Sequence, residues 1–351
     1  MEKTEIYGTI GPACAKQEIL TEMFRLGMTG VRLNMSHTEL EKCREWTEMV
    51  LSAASAAGIH PRLLIDLRGP ELRIGHLKEP VKLQEGKGIN LRKMEEEELL
   101  PKVLSNGRKN SSFETDIPVP GIVFPYLQKR QEVLLDDGKI QLEITEISEQ
   151  AACCRIIRGG LLQSKKSIAL PGTRMHLPAL TESDRRNIRN AKSHGVTGVM
   201  QPFVRNAQDL QDLKQELKNA EASDLEVFAK IENMEGVEHL EELLPYADQI
   251  VIARGDLGNS MPLWELPAVQ EEIAQKCKKA KKPFMVVTQM LASMEKNPVP
   301  TRAEVSDIFR AVQEGAASVM VTGETAVGNY PKAVIQYLSN TVKAAKQYLQ
   351  K

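Results

Sequence analysis

Lys230-Ile-Glu232 sets an ammonium and a carboxylate two residues apart. On an extended chain such residues share a face, so the two groups project side by side. Arg254-Gly-Asp256 repeats the spacing further along. If these runs end neighbouring strands, Glu232 and Asp256 stand about 5 Å apart, one strand spacing. Two carboxylates that close repel and push one pKa upward. A hard divalent cation removes that penalty. Mg2+ sits about 2.1 Å from its oxygens and takes one or two carboxylates, leaving room for oxygens of a ligand. Lys230 beside such an ion supplies positive charge where a phosphoryl group would gather negative charge. For one strand by itself, a Lys–Glu pair that is merely buried and paired is an equal explanation.

Other polar groups end apolar runs in the same way: Arg32-Leu-Asn34-Met-Ser36-His37, Asp66, Thr288-Gln289 and Thr322-Gly-Glu324. Packing alone does not account for so many polar strand ends, because apolar side chains fill a barrel at lower cost. Gly255-Asp256-Leu-Gly258 reads as a tight turn into a helix whose amides could hold a carboxylate or phosphate. A plain turn explains those four residues equally well. Neither a P-loop nor a GxGxxG pattern occurs, so a nucleotide is not expected to bind in either of those ways.

The elements that must position these groups alternate. Eight strands are expected at 4–10, 30–35, 61–67, 195–204, 226–232, 249–256, 283–290 and 318–325. Runs such as Arg62-Leu-Leu-Ile-Asp66 and Phe284-Met-Val-Val-Thr288 suit parallel strands buried on both faces. Helical stretches lie between them. Over 38–57, Leu40, Cys43, Trp46, Val50 and Ala54 recur every three or four residues. Thr38-Glu-Leu-Glu41 and Thr301-Arg-Ala-Glu304 carry the capping-box pattern. Val269, Ile273 and Cys277 make a stripe opposite a lysine-rich face. Strand–helix repetition of this kind points to an α/β fold, a closed (β/α)8 TIM barrel, with an open doubly wound sheet as the other arrangement.

One connection breaks the rhythm. From Pro70 to Gly172 the sequence shows a hairpin signal, Asp136-Asp-Gly138, followed by Ile140, Leu142 and Ile144 in alternation. Residues 70–172 are expected to form a small antiparallel β domain inserted into a barrel made of 1–69 and 173–351. A final helix from Pro331 is expected to end the barrel and the chain.

The 351 residues carry a net charge of −1 and 42% hydrophobic residues. That balance supports a sizeable core and gives no electrostatic reason to expect nucleic acid or an anionic membrane as partner. No apolar run is long enough to span a bilayer. The polar start and five scattered cysteines, none at CxxC spacing, fit a reduced, cytoplasmic setting.

Longer motifs now bear on identity. Thr9-Ile-Gly-Pro-Ala13, Val31-Arg-Leu-Asn-Met-Ser-His37, Asp66-Leu-Arg-Gly-Pro-Glu-Leu-Arg73, Asp136-Asp-Gly-Lys139, Leu177-Pro-Ala-Leu-Thr181, Ala229-Lys-Ile-Glu-Asn233, Ala253-Arg-Gly-Asp-Leu-Gly258, Thr288-Gln-Met-Leu291, Pro300-Thr-Arg-Ala-Glu-Val-Ser-Asp307 and Gly323-Glu-Thr-Ala326 resemble those of the pyruvate kinase family, in the family's order. The resemblance implies a β-barrel lid inserted after the third barrel strand. It implies transfer of the phosphoryl group of phosphoenolpyruvate to ADP, giving pyruvate and ATP. Glu232 and Asp256 would bind Mg2+ or Mn2+. Lys230 and Arg32 would hold the phosphoryl group. Gly255, Asp256 and Thr288 would hold the substrate carboxylate, with Thr288 also on the route that protonates enolpyruvate. Asn34, Ser36 and Asp66, with the Leu67 carbonyl, match a K+ site, and Glu71 matches a residue that accompanies K+ dependence. Pro12, His37, Arg73 and Lys166 fall where the family binds the nucleotide. A homo-oligomer built through the barrel is compatible with this.

The sequence also departs from the family. No counterpart of the C-terminal regulatory domain is present in it, so control by a sugar phosphate through that domain is not expected. Pro202 stands where Ser is usual, Val327 replaces a Lys near the nucleotide, Thr38 replaces Gly, and Asn259-Ser260 replace Val-Glu. Thr322 for Ser keeps a hydroxyl, and Leu67 for Thr keeps the carbonyl. Two other functions fit the same residues: a metal-dependent lyase or aldolase handling pyruvate enolate without ADP, and a non-catalytic phosphoenolpyruvate or nucleotide sensor.

Overall fold

The apolar runs become the staves of a closed barrel. The computed structural model describes residues 4–36, 38–94, 116–175 and 177–351. The chain divides into two compact units: Met1–Pro70 with Leu177–Gly258 and Pro262–Lys351, and Glu71–His176 with Asn259–Met261.

In the first unit, eight parallel strands close on themselves: Glu5–Thr9, Gly30–Asn34, Arg62–Asp66, Gly198–Gln201, Glu226–Ile231, Gln249–Ala253, Phe284–Val287 and Ser318–Met320. The first pairs with the eighth through Glu5↔Ser318. The open-sheet alternative is thereby excluded. The sixth, seventh and eighth strands are buried along their whole length, as doubly covered parallel strands must be. The helices that alternate with the barrel strands include Gln17–Arg25, Arg44–Ala56, Glu182–Asn190, Ala207–Asn219, Leu266–Lys279, Arg302–Gln313 and Pro331–Leu349.

Tyr7, Leu64, Met200, Phe228, Val251, Met285 and Met320 fill the barrel as one apolar cluster. Gly30 has no side chain because the Tyr7 ring lies against its backbone. The Tyr7 hydroxyl donates to Glu5 at 2.6 Å. Arg62 then joins Glu5, at 3.5 Å, to Glu226. Gln249 donates to Ser318 at 2.6 Å. Glu5, Arg62, Glu226, Gln249 and Ser318 each open a strand, so this polar layer closes the amino-terminal end of the barrel.

Three expectations about this unit need correction. Several strands are shorter than expected at their carboxyl ends: 195–204 shrinks to Gly198–Gln201 and 249–256 to Gln249–Ala253. Arg254 and Asp256 therefore do not share a strand face. They lie in the one-turn helix Arg254–Leu257, where residues two apart point away from each other. Thr38 caps nothing. The helix expected from there begins as a 3-10 turn, Leu40–Cys43, without a side-chain cap. Asn187 from another helix accepts the Leu40 amide at 2.9 Å instead. The Thr301–Glu304 box does form, and Thr181–Asp184 makes a second one.

In the second unit, Ile168–Ala169, Glu132–Leu135, Ile140–Ile147, Ala151–Arg158, Gly88–Met94 and Asp116–Pro120 form a six-stranded sheet in that order. Gly160–Leu162 and Val81–Leu83 form a two-stranded one. The larger sheet is mixed, since Gly88–Met94 runs parallel to Asp116–Pro120. The hairpin turn lies where it was expected, with Asp136, Asp137 and Gly138 at φ 50°, 54° and 77°. Ile140, Leu142 and Ile144 face the core.

Candidate active site at the carboxyl end of the barrel

The strand ends surround a cavity of about 560 Å³. Pro12, Arg32, Asn34, Asp66, Lys230, Glu232, Asp256 and Thr288 all line it. Residues from six of the strand ends thus meet in one hollow of a size suited to a small ligand.

Asp66, 2% exposed at the end of the third strand, organises the charges. Asn34 of the second strand is its partner in register. Arg32 grips one Asp66 oxygen with Nε at 2.8 Å and a terminal nitrogen at 2.7 Å. Lys230 reaches both Asp66 oxygens, at 3.0 and 3.2 Å, and Glu232 at 3.0 Å. The period-two reading of Lys230 and Glu232 therefore holds. The second Glu232 oxygen accepts the Phe203 amide at 2.8 Å.

Burial works against the Lys230 ammonium, but Asp66 and Glu232 outweigh it and raise its pKa above the ordinary lysine value. Lys230 is thus a fixed cation. Burial also opposes ionisation of Asp66, and the charges of Lys230 and Arg32 overcome it and hold that carboxyl low. Glu232 is the poorly compensated member. Burial raises its pKa and Asp66 adds to the effect, against the opposing pull of Lys230.

Among the described residues the charged side chains lining the cavity are Arg32, Lys230, Asp66, Glu232 and Asp256, so three carboxylates face two cations. A dication fits this surplus of negative charge. Among the described residues no group of three or more His, Cys, Asp or Glu is arranged to hold a metal. A cation here would use one or two carboxylates together with ligand oxygens, which is the habit of Mg2+. The second expected cation site draws on oxygens of Asn34, Ser36, Asp66 and Leu67, of which both Asp66 oxygens already accept from Lys230. Asn34 Oδ1 accepts the Ser36 amide at 3.1 Å, which draws those two residues together.

The other expected residues are more scattered. Gly255 sits directly behind Thr288: a Cβ on it would lie 3.1 Å from the Thr288 methyl. Arg73 and Lys166 belong to the second unit. There Arg73 pairs with Glu71 at 2.5 Å and Lys166 with Asp136 at 2.8 Å. His37 lies outside the described residues. Val327 is exposed at the cavity edge.

Sequence reasoning missed two features. Thr288, Gln289 and Phe203 adopt φ 81°, 57° and 52°, each costing about 1–3 kcal/mol where a non-glycine is held there. Nothing in their identity announces it. Glu324, 1% exposed, accepts the Leu291 amide at 3.1 Å and the Thr322 amide at 2.6 Å. It ties together the loops after the seventh and eighth strands. Its neighbour Thr325 exchanges hydrogen bonds with the Thr9 backbone, both at 2.9 Å, and so ties in the first loop.

Residues 1–335 match the family described as "Pyruvate kinase, barrel domain". The chain is similar to a pyruvate kinase of Staphylococcus epidermidis, 35% identical over 354 residues, covering 99% of this chain and 58% of the relative. Pyruvate kinases of Bacillus licheniformis and Geobacillus stearothermophilus are 35% and 34% identical over 351 residues, with the same coverage. The chain thus spans a little over half the length of these relatives.

Proposed function

Because the chain belongs to the pyruvate kinase family, we propose that it transfers the phosphoryl group of phosphoenolpyruvate to ADP, giving pyruvate and ATP. One observation supports this above the rest: Arg32 and Lys230 are both anchored on the buried Asp66 and both line the cavity. Two fixed cations presented together suit a group whose transfer spreads negative charge over several oxygens.

Lys230 and Arg32 would hold the phosphoryl oxygens, each already oriented by Asp66 so that little ordering remains on binding. Thr288 and the backbone at Gly255 and Asp256 would receive the carboxylate of the three-carbon acid. Thr288 would also stand on the path by which the enolate carbon gains its proton. Glu232 and Asp256 would hold a Mg2+ or Mn2+ ion, which when bound supplies further charge neutralisation at the phosphoryl oxygens. Asn34, Ser36, Asp66 and the Leu67 carbonyl would hold K+. Pro12, His37, Arg73 and Lys166 would serve the nucleotide.

The test is direct. Purified protein is given phosphoenolpyruvate, ADP, Mg2+ and K+, and pyruvate is measured. ADP-dependent formation, lost in a folded Lys230→Met variant, is expected. Pyruvate released from a hydroxylated keto acid without ADP would favour a lyase or aldolase, and binding without turnover would favour a sensor. Either result rejects the kinase reading.

A further inference from the structure

Thr288 holds φ +81° and Gln289 φ +57°. A β-branched residue at positive φ is a true outlier. Such a backbone persists only where its surroundings over-determine it. One side chain dominates those surroundings. Arg254 donates to the Thr288 carbonyl oxygen from Nε at 3.2 Å and from a terminal nitrogen at 2.7 Å. The same terminal nitrogen meets the Met290 sulfur at 3.0 Å. The other terminal nitrogen lies 2.8 Å from both oxygens of Asp307, on the helix Arg302–Gln313. Arg254 is not among the residues lining the cavity, and Thr288 is.

We propose that Arg254, anchored by Asp307, is a positioning residue: it fixes Thr288 in its left-handed turn and so sets the wall that receives the substrate carboxylate. The proposal rests on the reading of that wall given above. The chemistry requires arginine. A planar fork can send two donors to one carbonyl while a third meets a carboxylate, whereas an ammonium is a single point of charge. Gly255, which directly follows Arg254, leaves room for the close approach of the Thr288 side chain. Grip and clearance therefore come from consecutive residues.

Arg254→Lys keeps a cation beside Asp307 but loses the fork. Asp307→Asn loosens the anchor. Both are expected to lower kcat/KM for phosphoenolpyruvate by about 10- to 100-fold, as a misplaced contact does, while KM for ADP stays within about twofold. In a Thr288→Ala background, Arg254→Lys should add less than about threefold, because the two residues act as one unit. Losses that multiply, or an equal rise in KM for ADP, would show that the pair serves stability alone. A crystal structure of Arg254→Lys gives a readout free of turnover. Thr288 is expected to leave positive φ, and a retained left-handed Thr288 overturns the proposal. A wild-type protein that does not turn over phosphoenolpyruvate would instead reject the kinase reading, and the φ of Thr288 would still decide what Arg254 does.

Discussion

Asp66 carries more than its own charge. Both Arg32 and Lys230 end on it inside a wall from which water is largely excluded. Removing one partner of a buried ionic cluster leaves the others desolvated and unpaired, which typically costs about 3–5 kcal/mol. Asp66→Ala is expected to destabilise the barrel by about that amount, read as a lower urea midpoint, and, on the proposed function, to weaken phosphoenolpyruvate turnover even where the protein remains folded. A variant of unchanged midpoint would mean that the two cations find other partners. The Lys230–Glu232 contact was legible because strand periodicity places residues two apart on one face. The grip of Arg254 on Thr288 was not. It depends on a backbone angle and on a partner in a distant helix, and neither leaves a mark in local residue order.

Between strand and helix the same motif can succeed or fail. Thr301 accepts the Glu304 amide at 3.2 Å and Glu304 accepts the Thr301 amide at 2.8 Å. Ser293 steadies Glu304 further, through its amide at 2.7 Å and hydroxyl at 2.6 Å. Thr301→Ala is expected to cost about 1 kcal/mol. Thr38→Ala, at a motif with identical spacing, should stay within about 0.5 kcal/mol, because its hydroxyl caps no helix. Chemical unfolding of the two variants side by side checks the contrast; equal losses would contradict it. Element type and order were legible because the barrel strands are short apolar runs and the helices carry a three-to-four periodicity. Their ends were not. Val287-Thr288 and Val321-Thr322 look strand-like by composition, yet the strands stop at Val287 and Met320. A left-handed turn or a single helical turn then re-aims the next side chains.

Across the whole molecule the five thiols test how well the two units bury their interiors. Burial pushes the thiols of Cys14, Cys154 and Cys277 up to about 11, 12 and 12. Burial raises Cys43 and Cys153 as well, and all but Cys153 are buried. The thiolate is the reactive form, so at neutral pH a maleimide should modify no more than Cys153 in the folded protein and all five after denaturation. Mass spectrometry counts the adducts, and rapid loss of Cys14 or Cys277 would show an interior that opens readily. The layer of Tyr7, Glu5, Arg62 and Glu226 has a further consequence for traffic. With that floor in place the barrel is a cul-de-sac rather than a tunnel. Lys230 is therefore reached from the carboxyl-terminal side of the strands and not through the barrel's length.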